Sequence, residues 1–213
     1  MEIIPGILEK NWEAIAEKIE LVRPFAKTIH IDLIDGKFVN HATHLDPTLF
    51  TSIAADFFLE LHMMVDEPIG YLEAWAKAGF RRFLGHVESM SDQAAFVAKG
   101  QLLGEVGLAL DGPTPVSRIT VPLSDLDVLL IYTSEKVGFS GPPFDQARLS
   151  KIEEVRRQTD RLPIEVDGGI TPETLPQAMR AGANRFVSTS FLFKTCEPEK
   201  QFSLLSARLP LDH

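Results

Sequence analysis

His30 and Asp32 stand two residues apart at the end of one apolar run, His62 closes a second, and Asp167 closes a third within Val166-Asp167-Gly168-Gly169. If the runs are strands, period-two alternation aims His30 and Asp32 the same way. Two imidazoles and two carboxylates meeting at one mouth make a donor set for a divalent cation of the zinc, manganese or iron(II) kind. Each residue also has a plain structural reading, as a hydrogen-bonded core histidine or an aspartate that caps a helix or tightens a turn. An HxD spacing is common by chance. The signal is that all four fall at the ends of three different runs.

Those runs belong to a longer series. Short apolar, often β-branched stretches occur at residues 3–8, 28–33, 57–65, 82–87, 106–110, 128–132, 162–166 and 185–193, giving eight strand candidates. Amphipathic segments at 11–25, 69–78, 91–99, 145–159 and 172–181 lie between them and predict helices. Thr171-Pro172-Glu173-Thr174 predicts a helix start, and Gly79 and Gly182 predict helix ends. Near-continuous apolar strands imply a parallel sheet covered by helices. Eight βα units without a linker, and without GxGxxG after the first strand, predict an α/β fold of one (β/α)8 TIM barrel over residues 1–213. Polar residues at the C-terminal strand ends then mark the active site.

Composition narrows the function. The 213 residues carry 21 Lys and Arg against 30 Asp and Glu, a net charge of −9, and 45% are hydrophobic. The basic residues are scattered, which argues against a nucleic-acid face. No apolar run approaches the ~20 residues of a membrane span. Met1-Glu2-Ile3-Ile4-Pro5 does not resemble a signal peptide, and the only cysteine, Cys196, excludes an intrachain disulfide. A cytoplasmic protein with no membrane partner is expected.

His30-Ile31-Asp32-Leu33-Ile34-Asp35-Gly36-Lys37-Phe38-Val39 resembles the HxDxMDGxFV run of the ribulose-phosphate 3-epimerase family. Leu61-His62-Met63-Met64-Val65 with Pro68 is similar to its HLMV-x-x-P, and His86-Val87-Glu88 to its fourth-strand HxE. Gly107-Leu108-Ala109-Leu110, Gly138-Phe139-Ser140-Gly141 and Val166-Asp167-Gly168-Gly169-Ile170 follow in the family's order. The resemblance runs from Pro5 to Phe193 and implies a barrel of the ribulose-phosphate-binding type. It implies His30, Asp32, His62 and Asp167 as ligands of one divalent ion (Zn²⁺, Fe²⁺, Mn²⁺ or Co²⁺), with Asp32 and Asp167 also the catalytic acid/base pair. The implied reaction interconverts D-ribulose 5-phosphate and D-xylulose 5-phosphate through a cis-enediolate, in the pentose phosphate pathway, and the implied assembly is a homo-oligomer.

The substrate-contacting positions implied by the resemblance are Glu9, His62, Met64, Tyr132, Gly138, Phe139, Ser140, Gly141, Gly168, Gly169, Thr189 and Ser190. Several depart from the family pattern. PSILS reads Pro5-Gly6-Ile7-Leu8-Glu9, so a serine is replaced by Glu9, which either reaches the mouth or turns aside near the next helix. Ile34 and Tyr132 replace two of three methionines. Pro142, which has no N–H, stands at a glutamine, and Thr189-Ser190 replaces Gly-Ser. These changes leave two alternatives: epimerisation of another ketose or a hexulose 6-phosphate, or a non-catalytic ligand-binding relative. Glu60 and Glu165 are expected one layer below His62 and Asp167, bracing the histidines. His41 and His44 are expected at the surface.

Overall fold

Strands that alternate apolar residues between two buried faces must close on themselves or be covered on both sides, and here they do both. The computed structural model describes residues 1–135 and 137–210. Its strands are β1 (Glu2–Ile7), β2 (Thr28–Ile34), β3 (Phe58–Met64), β4 (Phe80–His86), β5 (Glu105–Leu110), β6 (Val128–Tyr132), β7 (Ile164–Asp167) and β8 (Arg185–Ser188). Each pairs in parallel with the next, and β8 pairs with β1, giving the expected closed eight-stranded barrel. Around it lie α1 (Trp12–Val22), α2 (Leu72–Lys77), α3 (Gln93–Gln101), α4 (Leu149–Gln158), α5 (Leu175–Ala181), α6 (Ser190–Phe193) and α7 (Pro198–Ser206). Among the described residues no helix is long and apolar enough to cross a membrane.

Local chemistry explains most boundaries. The Asn11 side chain accepts the Ala14 N–H and starts α1, which buries Ile15, Ile19 and Val22 on one face. Gly182, at φ 118°, ends α5 as predicted. Two expectations need correction. The run at 185–193 is not one strand: β8 stops at Ser188, Thr189 turns (φ −107°, ψ −75°) and α6 follows, an ambiguity inherent in short apolar runs. The start of α5 is Leu175 rather than Pro172, because Thr171 and Thr174 bond each other in a preceding turn. Short 3₁₀ segments at Pro47–Ser52, Val116–Arg118 and Leu123–Asp125 stand where α-helices would follow β2 and β5, which makes a short chain sufficient.

The two strand faces have different jobs. Ile29, Ile31 and Leu33 of β2, Leu59, Leu61 and Met63 of β3, and Ile164 and Val166 of β7 join the main core beneath the helices. The intervening residues point inward. Inside, Leu84, Ala109, Val128, Leu130 and Tyr132 form an apolar sector centred on β5 and β6. The opposite sector is charged: His30, Asp32, Glu60, His62, Arg82, Glu165 and Asp167 are all buried.

Buried charges persist only when paired. Arg82 supplies the cation at the bottom of this sector, with Nη1 2.5 Å from Glu60 Oε2 and Nε 2.7 Å from Glu105 Oε2. Arg82→Met should therefore cost about 3–5 kcal/mol, since it strands a buried carboxylate. Thermal melting should show a drop of roughly 10 °C; an unchanged midpoint would contradict the pairing.

Candidate active site

Asp32 and Asp167 sit near the C-terminal ends of β2 and β7, and the next loops pin them. The Thr43 hydroxyl donates to the Asp32 carbonyl at 2.9 Å while accepting the Ile34 N–H at 2.9 Å. The Thr133 N–H donates to the Asp167 carbonyl at 2.6 Å, and its hydroxyl donates to the Gly168 carbonyl at 2.8 Å. Gly168 and Gly169 adopt φ 109° and 71°, and a Cβ on Gly169 would stand 2.4 Å from Phe144 N, so the turn admits only glycine.

Beneath the carboxylates lie the two histidines. His30 Nδ1 is 2.6 Å from Glu60 Oε1. Burial would raise the Glu60 pKa, but His30 and Arg82 hold it at about 2, so the carboxylate accepts and Nδ1 carries the hydrogen. His30 Nε2 faces Asp32 Oδ1 at 3.4 Å and Asp167 Oδ2 at 4.0 Å. That nitrogen is buried and has no hydrogen-bond partner among the described residues. His62 Nδ1 lies 2.9 Å from Asp32 Oδ1 and 3.5 Å from Asp167 Oδ2.

The four ligand atoms lie within 4.8 Å of one another. A buried ring nitrogen facing two carboxylates marks a place for positive charge between them. The residues present fit a divalent ion in both donor type and placement. The titration directions carry the same message. Burial opposes charge on His30, yet Asp32, Glu165 and Glu60 raise its pKa well above the ordinary value. Burial likewise opposes charge on His62, but Asp167 and Asp32 raise it. For Asp32 burial acts upward, and His30 and His62 pull it below the usual range. Deeper, burial and the Glu60 charge push Glu165 up to about 7.

A pocket opens above the cluster. Asp32, Asp167, Met64 and Tyr132 line it together with Gly138, Phe139, Ser140, Gly141, Gly168, Gly169, Thr189 and Ser190, whereas His62 lies buried behind the lining. Among the described residues no Lys or Arg lines it. Glu9 lies apart, paired with Lys18 Nζ at 2.6 Å in an adjoining cleft on the α1 side. His41 and His44 are half-buried rather than surface residues, because each meets aromatic rings: His41 packs on Phe139 at 4.8 Å, and His44 lies against Trp12 and Phe50. Sequence alone did not single out Arg82, nor the 2.9 Å contact between His62 Nε2 and His86 Nε2. The available signal was that Arg82, Leu84 and His86 share one strand face.

Two departures from the family pattern prove to be a pair. A Cβ on Gly6 would stand 2.2 Å from Thr189 Oγ1, so the Thr189 side chain occupies space that Gly6 leaves open. Gly6→Ala should cost about 1–3 kcal/mol by overpacking. Adding Thr189→Gly should recover part of that loss, leaving Val187 Cγ1, at 2.8 Å, as the residual contact. Additive losses in thermal melting would show that the two sites are independent.

Comparison with known proteins agrees over nearly the whole chain. The model of the Ribulose-phosphate 3 epimerase family matches residues 2–193. A ribulose-phosphate 3-epimerase of Bacillus subtilis (strain 168) is 34% identical over 215 residues, covering 95% of this chain and 97% of that relative. The cytoplasmic isoform of Oryza sativa subsp. japonica is 33% identical, covering 96% and 92%. A solved 3-hexulose-6-phosphate synthase shares the fold, with a TM-score of 0.74 over 99% of this chain and 100% of its own at 19% identity. With a closed parallel barrel, a His/Asp cluster at its mouth and a family match from end to end, the chain belongs to the ribulose-phosphate 3-epimerase family and is an isomerase of the epimerase kind.

Proposed function

We propose that the chain inverts C3 of D-ribulose 5-phosphate to give D-xylulose 5-phosphate, with Asp32 and Asp167 as the acid/base pair. The observation that carries this reading is the juxtaposition of two aspartates, reaching one pocket floor from β2 and β7, with two histidine nitrogens in the same cluster. Inversion needs a base on one face of the carbon and an acid on the other. β1 and β8 separate the two aspartate strands, so the carboxylates approach a bound sugar from different sides. One carboxylate accepts the C3 proton, leaving a cis-enediolate, and the other delivers a proton to the opposite face.

His30, Asp32, His62 and Asp167 would hold one Zn²⁺, Fe²⁺, Mn²⁺ or Co²⁺ ion. That ion would supply Lewis-acid stabilisation of the negative charge that develops on the substrate oxygens. Met64 and Tyr132 exclude water beside the reacting carbon. With no basic side chain among the described lining residues, the phosphate is held by backbone N–H groups of Gly141, Gly168, Gly169 and Ser190. A cytoplasmic setting, as in the rice relative's designation, and self-association belong to the same proposal.

Incubation with D-ribulose 5-phosphate in deuterated water should place deuterium at C3 and yield D-xylulose 5-phosphate. Asp32→Asn and Asp167→Asn should each lower turnover by about 10²–10⁴-fold. Chelation should abolish exchange, and added divalent ion should restore it. Pro142 and Thr189 at the phosphate end favour a hexulose 6-phosphate as the second reading; exchange on that substrate alone would select it, and exchange on neither would sink both.

A further inference from the structure

The charged face of the barrel continues beyond the cluster. His62 Nε2 lies 2.9 Å from His86 Nε2, and the rings meet edge to edge, with centroids 5.0 Å apart and planes 28° from parallel. His86 Nδ1 lies 3.0 Å from Glu88 Oε2, and the other oxygen of Glu88 accepts the Asp111 N–H at 2.9 Å. His86 is fully buried, so both its ring nitrogens find their partners within this chain of atoms.

Counting hydrogens orients the chain. Only one hydrogen fits between the facing Nε2 atoms. When His62 Nδ1 gives its lone pair to a cation, the ring hydrogen of His62 sits on Nε2, and His86 Nε2 accepts it. His86 then carries its own hydrogen on Nδ1, aimed at the Glu88 carboxylate, which can only accept. Every donor in the chain meets an acceptor. The opposite polarity places hydrogen on His62 Nδ1, where it blocks the lone pair.

We propose that His86 and Glu88 are positioning residues that fix which nitrogen of His62 faces Asp32 and Asp167, and so set how tightly the site takes a divalent cation. This inference rests on the proposed cation site. The two histidines are braced by unlike means: His30 leans directly on an ionised carboxylate that is tied to Arg82, whereas His62 leans on a neutral imidazole that passes the interaction to Glu88. Loss of His86 leaves a buried N–H donor on His62 without an acceptor.

Metal affinity read without substrate tests this, by Co²⁺ titration followed in the visible and by Zn²⁺ competition with a chromophoric chelator. His86→Phe keeps an aromatic ring and removes the acceptor, and should loosen the ion by about 10–100-fold. His86→Gln offers an amide oxygen to His62 Nε2–H and should recover part of that loss. Glu88→Ala, at a partly exposed position, should loosen the ion by about tenfold, and it carries the test if His86→Phe does not fold. Wild-type protein that binds one ion while His86→Phe and Glu88→Ala bind within about threefold of it would overturn the positioning role and leave the cation site standing. Wild-type protein that binds no ion would overturn both.

Discussion

Asp32, Asp167, Glu60 and Glu165 all point into the water-poor interior of one barrel, and their mutual repulsion must be answered by positive charge delivered from inside. Arg82 answers it at the bottom. In the middle stand the two histidines, which the surrounding carboxylates drive toward the charged form despite burial. At the top the same field faces the pocket, where a divalent cation has the donors it requires. The charged sector is thus a graded stack, with a fixed cation below and a donor set that could hold a divalent ion above. The remainder of the interior serves it by staying apolar along β5 and β6, which keeps the dielectric low and the interactions strong.

The same constraint shapes the chemistry. In the proposed reaction the carboxylates must be reachable from the pocket, and Asp32 and Asp167 are so by standing at the rim of the stack. Hydroxyls of Thr43 and Thr133 hold the backbone of each strand end, so the two carboxylates are held in place in advance. The pocket above brings no basic side chain among its described residues, in keeping with a chain of net charge −9. Thr189 narrows the pocket less than its size suggests, because Gly6 has given up the space it fills.

Much of this was legible in the linear chain. The eight apolar runs determined the barrel, because parallel strands buried on both faces leave few other ways to satisfy their backbones. Period two placed His30 with Asp32 on the inward face and Glu60 and Glu165 one layer below, because alternation is a local property of the strand. Strand ends near 64 and 167 marked the mouth. The run at 185–193 misled, since a short apolar segment reads alike as strand or buried helical turn.

What sequence could not decide was which buried charge meets which. A register shift between β3 and β4 at Leu59/Glu60 places Arg82, not Arg81, beside Glu60. Arg82 is therefore buried as the countercharge of the stack, while its neighbour Arg81 is exposed. The contact of His62 with His86, and the space shared by Gly6 and Thr189, likewise join residues on different strands. Sequence alone determined the fold and the inward donors through periodicity. Tertiary structure alone decided their partners, because pairing across strands depends on register, and register is set by the packing of the closed barrel as a whole.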